Sequence, residues 1–478
     1  MLFNSVEFFI FLPIVFSFYW LLNRWLTIQN LFLVAASFLF YGWWDWRFLL
    51  LLLTSAGIDY LVAIRLDKTE NLFRRKFFLG LSLLGNLGIL GFFKYFNFFT
   101  QSFQDAFTFF GGHIQPVSLS IVLPVGVSFY TFQALSYTID VYRRRIKSVN
   151  NPITYFAFVS FFPQLVAGPI ERASHMLPQY LRARNFEYTV ATDGMRRILW
   201  GLIKKVVIAD NCAVFVNEVF NNTSGESGST LMLGAVLFAF QIYGDFSGYS
   251  DIAIGTAQLF GFELMQNFSF PYFSRDISEF WRRWHISLTS WFRDYVYIPL
   301  GGSRAGKGKQ IRNTFIVFLV SGLWHGANWT FIFWGLLHAI YFLPLLLLNR
   351  NRQYLNVAAG GRVFPSFKEL SGIIITFFIT TLAWIFFRAN SIHSAFGYLA
   401  GIFHRSIFSF PSLPQNKSVL LLLPLVILTE WFQRNKKHAL EINTQKIPWF
   451  ARWIIYYLLV AVLFRYAAVQ QPFIYFQF

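Results

Sequence analysis

Apolar residues are laid down in long blocks along this chain, and the polar gaps between them alternate between rich and poor in Lys and Arg. Roughly 20 apolar residues cross a bilayer. The blocks at 5–22, 30–44, 47–64, 77–98 and 116–140 therefore predict membrane helices, as do 194–220, 229–262 and later runs near 371–387, 418–432 and 450–468. Basic loops stay cytoplasmic. That places loops 65–76, 143–148 and 301–312 inside, and the Lys/Arg-free stretches 100–115 and 221–228 outside. No Lys or Arg precedes Arg24 and no small-residue cleavage site follows the first block, so 5–22 reads as a retained helix with an outside N-terminus. The segment 153–169 holds Pro163, Gly168 and Pro169, and predicts a helix that enters and leaves on the cytoplasmic side. The pattern amounts to an all-α polytopic integral membrane protein: about ten crossings plus two segments that dip in, with no internal repeat and no soluble domain.

Three places break the apolar pattern. In Ser321-Gly322-Leu323-Trp324-His325-Gly326-Ala327-Asn328-Trp329, a histidine lies between two tryptophans inside an apolar region. Irregular backbone at membrane depth survives only where it lines a cavity or is buried in protein, and an intramembrane imidazole by default marks function. The leg from Asn313 to Trp324 is about 18 Å at helical rise, so His325 is expected near mid-membrane, at the tip of a broken or re-entrant segment near 313–348. The outbound leg carries His338, which reads as a packed core residue. Second, 229–262 is interrupted by Tyr243-Gly244-Asp245-Phe246-Ser247-Gly248-Tyr249-Ser250-Asp251. Its two aspartates either face the protein interior or cap helix ends. Third, 276–300 reads as a helix at the cytoplasmic interface, with Asp276 and Glu279 as a capping box. Trp281, His285, Leu288 and Phe292 share a face at 4-3-4 spacing, while Arg282 and Arg283 project elsewhere.

Composition agrees with the pattern: 56% of residues are hydrophobic, 13% are charged, and there are 62 Phe and 16 Trp. The single cysteine, Cys212, excludes an intramolecular disulfide and a cysteine-based metal cage, and no metal or permanently bound cofactor is expected. The net charge of +18 belongs to cytoplasmic loops facing lipid headgroups rather than to nucleic-acid binding. Loop 301–312 is glycine-rich but lacks the Walker A spacing.

These motifs resemble the membrane-bound O-acyltransferase family, in its bacterial alginate O-acetyltransferase-like branch, over essentially the whole chain. The segments that carry the likeness include Leu123-Pro124-Val125-Gly126-Val127-Ser128-Phe129-Tyr130, Gln164-Leu165-Val166-Ala167-Gly168-Pro169 and the 243–251 motif. The most specific are Phe280-Trp281-Arg282-Arg283-Trp284-His285 and Trp324-His325-Gly326. The resemblance implies a single transmembrane domain over 1–478, built around a central catalytic tunnel, in a bacterial inner membrane. It assigns catalysis to His325, with His285 upstream of it. Arg282, Arg283, Trp324, Asn328, Asp245 and Ser247 are expected to bind donor or line the tunnel. The implied job is to take an acyl group from a cytoplasmic donor, acetyl-CoA or another acyl thioester, for O-acetylation of an extracytoplasmic polysaccharide such as alginate. In that branch's scheme an extracytoplasmic acetyltransferase or the polymer itself receives it; D-alanyl transfer to teichoic acid from a carrier-protein donor is the family alternative.

From the residues alone, imidazole suits acyl transfer as a base or as a nucleophile, and both roles stay open. The two arginines either bind an anionic donor or anchor to headgroups. The aromatic tail Phe473 to Phe478 reads as an outer anchor or docking element. A transporter is a competing class, since discontinuous midplane helices are a transporter signature, although no paired break is visible in the two halves. A scaffold whose histidines are structural is another.

Overall fold

The computed structural model describes residues 1–112, 118–166, 168–304, 306–468 and 470–474. The regular elements among them are all helical. Among the described residues six helices are long and apolar enough to cross a membrane, and three shorter apolar ones accompany them, against the ten crossings expected from sequence. The chain forms two compact units: Met1–Ala191 with Thr256–Met265, and Thr192–Gly255 with Gln266–Phe478.

In the first unit, helices α1 (Val6–Leu21), α2 (Leu26–Gly42) and α3 (Arg47–Asp67) follow the predicted blocks closely. Helix α4 (Leu72–Leu90) runs through a π turn at Gly91–Tyr95 into α5 (Phe96–Phe109), so the stretch expected to be an external loop at 100–115 is helical as far as Phe109. Residues 113–117 of that stretch lie outside the described residues. Helix α6 (Val127–Tyr142) starts at Gly126, whose φ of 75° and close approach to the Leu165 carbonyl, 2.6 Å from where a Cβ would sit, exclude a side chain. The segment expected to dip in is α7 (Pro152–Ser160) and α8 (Phe162–Leu165), broken at Phe161. Nine residues of α7 reach about 14 Å, short of a roughly 30 Å core. Helix α9 (Ala173–Tyr180) follows. A buried carboxylate, Asp59 on α3, joins three elements: Thr138 Oγ1 (3.0 Å), Ser82 Oγ and Asn86 Nδ2 (2.8 Å) all donate to it. A buried polar group in an apolar bundle needs such partners.

Helix α10 (Tyr188–Leu202) leads into the second unit, through a π turn at Ile203–Ala209 and α11 (Asp210–Asn221). Helix α12 (Gly228–Leu259) is one unbroken rod of 32 residues, so the interruption expected at 243–251 is absent. Its aspartates sit mid-helix, which overturns the capping alternative for them. Lys204 and Lys205 are 3% and 1% exposed. Arg197 (2.8 Å) and Lys204 (2.6 Å) pair with Asp251, and Lys205 pairs with Asp210 (2.8 Å) and Asp245 (2.7 Å). Two aspartates on an apolar helix are tolerable because fixed cations meet them.

The interface segment is likewise not one helix. It is α13 (Ile277–Arg283) and α14 (Ile286–Phe292), with a π turn at Arg293–Tyr297. Helices α15 (Lys307–His325) and α16 (Trp329–Leu347) form an antiparallel hairpin. Helix α15 begins six residues before Asn313, so the leg has 19 residues, about 28 Å, and the short-leg argument for mid-depth falls. The break itself stands where it was expected: His325 is the last helical residue, Gly326 is extended, and Asn328 caps α16. Helices α17 (Phe367–Arg388), α18 (Ile392–Ile402), α19 (Ser418–Phe432) and α20 (Trp449–Tyr466) complete the unit.

Candidate active site

Helices α15 and α16 cross unusually closely, and the reason is glycine. A Cβ on Gly322 would lie 2.3 Å from the Phe331 carbonyl oxygen, and one on Gly335 would lie 2.3 Å from that of Phe318. Small residues let membrane helices approach backbone to backbone. The crossing holds the end of α15, and so His325, against α16.

His325 is 3% exposed. Its ring centroid lies 5.0 Å from Trp324, 5.1 Å from Trp334 on α16 and 5.3 Å from Phe387 on α17, all edge-on. His285, forty residues earlier, reaches the same cluster: its ring is 6.0 Å from Trp324 and 4.7 Å from Phe246 on α12. The Trp324 indole therefore has both histidines within contact range.

His285 does not sit on a helix face as the 4-3-4 spacing predicted. It is the joint between α13 and α14, in the left-handed region at φ 44°. A non-glycine residue there costs about 1–3 kcal/mol and persists only when its surroundings hold it. The segment 267–269 does so: Ser269 N donates to the Arg283 carbonyl (3.0 Å) and Ile286 N to the Asn267 carbonyl (2.9 Å). Asn267 also fixes the imidazole. Its Oδ1 accepts from Ser287 Oγ (3.0 Å) while its Nδ2 donates to Ser250 (2.8 Å), so the 3.0 Å contact with His285 Nδ1 is a donation by the ring. That tautomer makes Nε2 the basic nitrogen. Asn267 was missed in the sequence, where nothing local ties it to a histidine eighteen residues away.

His338 is buried in the same aromatic neighbourhood, 4.8 Å from Trp334, and its Nδ1 accepts from Trp281 Nε1 at 3.3 Å. Trp281 in turn lines a cavity of ≈ 810 Å³ whose walls include Leu288, Phe318 and Ser321 and whose polar lining includes Arg282 and Arg352. Neither catalytic candidate lines it. Ser321 is four residues before His325 on α15, which puts it on the same helix face.

The other expected donor or tunnel residues are spread more widely. Arg282 hydrogen-bonds Ser278 Oγ (2.6 Å) and the carbonyls of Asn351 (2.9 Å) and Tyr354 (2.7 Å). Arg283 is paired with Glu279 at 2.9 Å. Asn328 accepts from Thr330 N (3.0 Å) and donates to the Asn390 carbonyl (3.1 Å). Trp324 is 4% exposed, Ser247 is 1% exposed, and none of Arg283, Trp324, Asn328, Asp245 and Ser247 lines the cavity. Asp245 accepts from the backbone N of Ile474 (2.6 Å), and Lys205 donates to the Gln471 carbonyl (3.1 Å). Phe473, 0% exposed, packs 4.3 Å from Tyr249 and 6.1 Å from Phe246. Of the aromatic tail expected as an outer anchor or docking element, Phe473 and Ile474 form a buried strap; residues 475–478 lie outside the described residues.

Comparison with known proteins bears on what such a site does. The sequence profile of the membrane-bound O-acyltransferase family matches residues 77–387, which include both histidines. A probable alginate O-acetylase of Pseudomonas aeruginosa is 40% identical over 405 residues, covering 84% of this chain and 74% of that protein. A probable alginate O-acetylase of Pseudomonas putida is 36% identical over 506 residues, covering 99% of each. A peptidoglycan O-acetyltransferase of Helicobacter pylori is 34% identical over 529 residues, covering 100% of this chain and 98% of its own length.

Proposed function

Because the chain belongs to the membrane-bound O-acyltransferase family, and is an O-acyltransferase of the multi-pass membrane kind, we propose that it carries acetyl from a cytoplasmic thioester to the hydroxyl of an extracytoplasmic polysaccharide, with His325 and His285 performing the transfer. The observation that carries the reading is the meeting of the two histidines, buried, at the Trp324 indole. Acetyl-CoA is the proposed donor. Family membership places the chemistry in this chain, against the transporter and scaffold readings.

The step balances simply. One imidazole removes the proton of the acceptor hydroxyl as its oxygen attacks the thioester carbonyl. The C–S bond breaks, the thiolate takes up that proton, and an ester and a free thiol result. In the second route the imidazole nitrogen attacks first and the C–S bond breaks to release the thiolate; the acceptor oxygen then attacks the acyl-imidazole, the C–N bond breaks to restore the imidazole, and the hydroxyl proton ends on the thiolate. The Asn267 contact holds His285 Nδ1 as donor and leaves its Nε2 basic, which suits His285 to assist His325 in moving a proton. The aromatic packing around His325 excludes water that would otherwise hydrolyse the thioester. The acceptor is drawn from two classes, alginate-like polymer and peptidoglycan, which the relatives' names divide between them.

The test is transfer by the purified protein in proteoliposomes, with labelled acetyl-CoA and alginate or peptidoglycan fragments on opposite sides. Free thiol and ester-linked label on one acceptor are expected. Label moved only from an acylated carrier protein would replace the donor assignment, and no transfer from any thioester would end the proposal.

The arginines can be separated from one another. Arg352 is exposed and lines the cavity, whereas Arg282 and Arg283 spend their guanidinium groups on the fold. Arg352→Ala is expected to raise the donor KM about tenfold, the worth of one charge-assisted hydrogen bond of roughly 1.5 kcal/mol. Arg283→Ala should lower the yield of folded protein and leave KM alone. Steady-state kinetics at two salt concentrations decide it; an unchanged KM for Arg352→Ala would leave headgroup anchoring as the role of these charges.

A further inference from the structure

Helices α4 and α5 form one continuous helix of 38 residues, Leu72–Phe109. At helical rise that is about 57 Å, nearly twice the roughly 30 Å hydrocarbon core. Its neighbour shows where the surplus lies. Phe92 and Phe93 share a groove with Arg47 and Leu51, so the Arg47 end of α3 is level with Phe92. Everything from Phe96 onward continues past that level, on the side opposite the basic loop at 65–76.

This surplus is not a polar stalk. No residue of α5 is buried. Phe99, Phe103, Phe107 and Phe110 follow at steps of four, four and three, which puts them on one face, and each is exposed. The opposite face carries Asn97, Gln101, Gln104 and Asp105. Gln101 Nε2 donates to Gln104 (3.1 Å) and to Asp105 (2.9 Å). The helix is held at its start: Asn97 Nδ2 donates to the Leu119 carbonyl (2.8 Å) and Leu119 N donates to Asn97 Oδ1 (3.1 Å). Just before that clamp is the π turn at Gly91–Tyr95, the kind of irregularity at which helices change direction.

A phenylalanine stripe of this size does not stay in water. We propose that α5 is an interfacial helix, lying along the membrane–water boundary at the Arg47 end of α3 with its phenylalanine face in the lipid and its Gln and Asp face in water. The favoured occupant is lipid because the stripe continues the exposed apolar face of Phe73, Phe77, Leu81 and Leu84 on α4, a candidate membrane span. Aromatic side chains also settle at the headgroup level. Residues 96–112 contain no Lys or Arg, so binding is to a zwitterionic surface and does not need anionic headgroups.

The experiment uses the full chain with Cys212→Ala, reconstituted in phosphatidylcholine vesicles, with single cysteines at Phe103→Cys, Phe107→Cys, Gln101→Cys and Gln104→Cys carrying an environment-sensitive fluorophore. Brominated phosphatidylcholine should quench 103 and 107 several-fold more than 101 and 104, with aqueous iodide showing the reverse order. Added anionic lipid should change neither. Iodide quenching all four positions alike would mean that the helix stands in water and would overturn the proposal. Shielding of 103 and 107 that appeared only on adding a second membrane or envelope protein would overturn it in favour of protein docking.

Discussion

His325→Ala is expected to reach the membrane in near-normal amount and to transfer acetyl at least roughly 10²-fold more slowly, the lower end of what losing a general base costs. The imidazole is buried edge-on to Trp324, Trp334 and Phe387, so its removal leaves a hole as well as a chemical deficit. His325→Asn separates the two, because it fills most of the hole and supplies no base; it should be as inactive as the alanine variant and more stable. His285→Ala should cost less if His285 only positions the donor, and about as much if the pair acts as a unit, in which case the double variant is no worse than either single. His338→Ala removes the acceptor of the Trp281 indole and should lower stability while leaving turnover of folded protein close to normal. Full polymer acetylation by well-expressed His325→Ala protein would refute the catalytic assignment.

Gly335→Ala should be among the most damaging small substitutions in the chain. The added methyl would meet the Phe318 carbonyl oxygen at 2.3 Å, and backbone has no rotamer into which it can withdraw. Overpacking a core by a methylene costs about 1–3 kcal/mol. Here the displaced partner is a whole helix, so the upper end of that range is expected, with the end of α15 carried away from Trp334. The readouts are the amount of monodisperse protein after extraction and its Tm. Gly322→Ala, which meets the Phe331 carbonyl from the other side, should behave alike. Wild-type Tm and activity in both variants would show that the crossing is looser than these distances.

The features visible in the sequence were those that depend on near neighbours. The apolar blocks gave α1 to α3 within a few residues, and Gly326 with Asn328 announced the end of α15 because both residues disfavour helix interiors. Where partners come from far along the chain, the local pattern misleads. Asp245 and Asp251 look like helix breakers until Lys205, Lys204 and Arg197 are brought beside them. The 4-3-4 spacing of Trp281, His285, Leu288 and Phe292 suggested one helix, and the left-handed turn at His285 became possible only with Asn267 and Ser269 to hold it. For α5 two local signals compete: the absence of Lys and Arg suggests an external loop, while the spacing of Phe99, Phe103, Phe107 and Phe110 describes a helix. The two arginines before Trp284 illustrate a different limit. Charge is visible in sequence, but whether a guanidinium is spent on the fold or left for a ligand is not.

The strap at 470–474 has a consequence for how the chain is made. The amide that Asp245 accepts from belongs to a residue 229 positions later. At synthesis rates of about 5–20 residues per second, that partner emerges roughly 10–50 s after Asp245 has entered the bilayer. During this interval Lys205, Asp210 and Asp245 must be kept by the insertion machinery or by one another, with the pocket for Phe473 still open. Completion of this unit is therefore a long-range closure of the kind that slows folding. A nascent chain halted before Gln471 would present an unfinished charged cavity to membrane quality control.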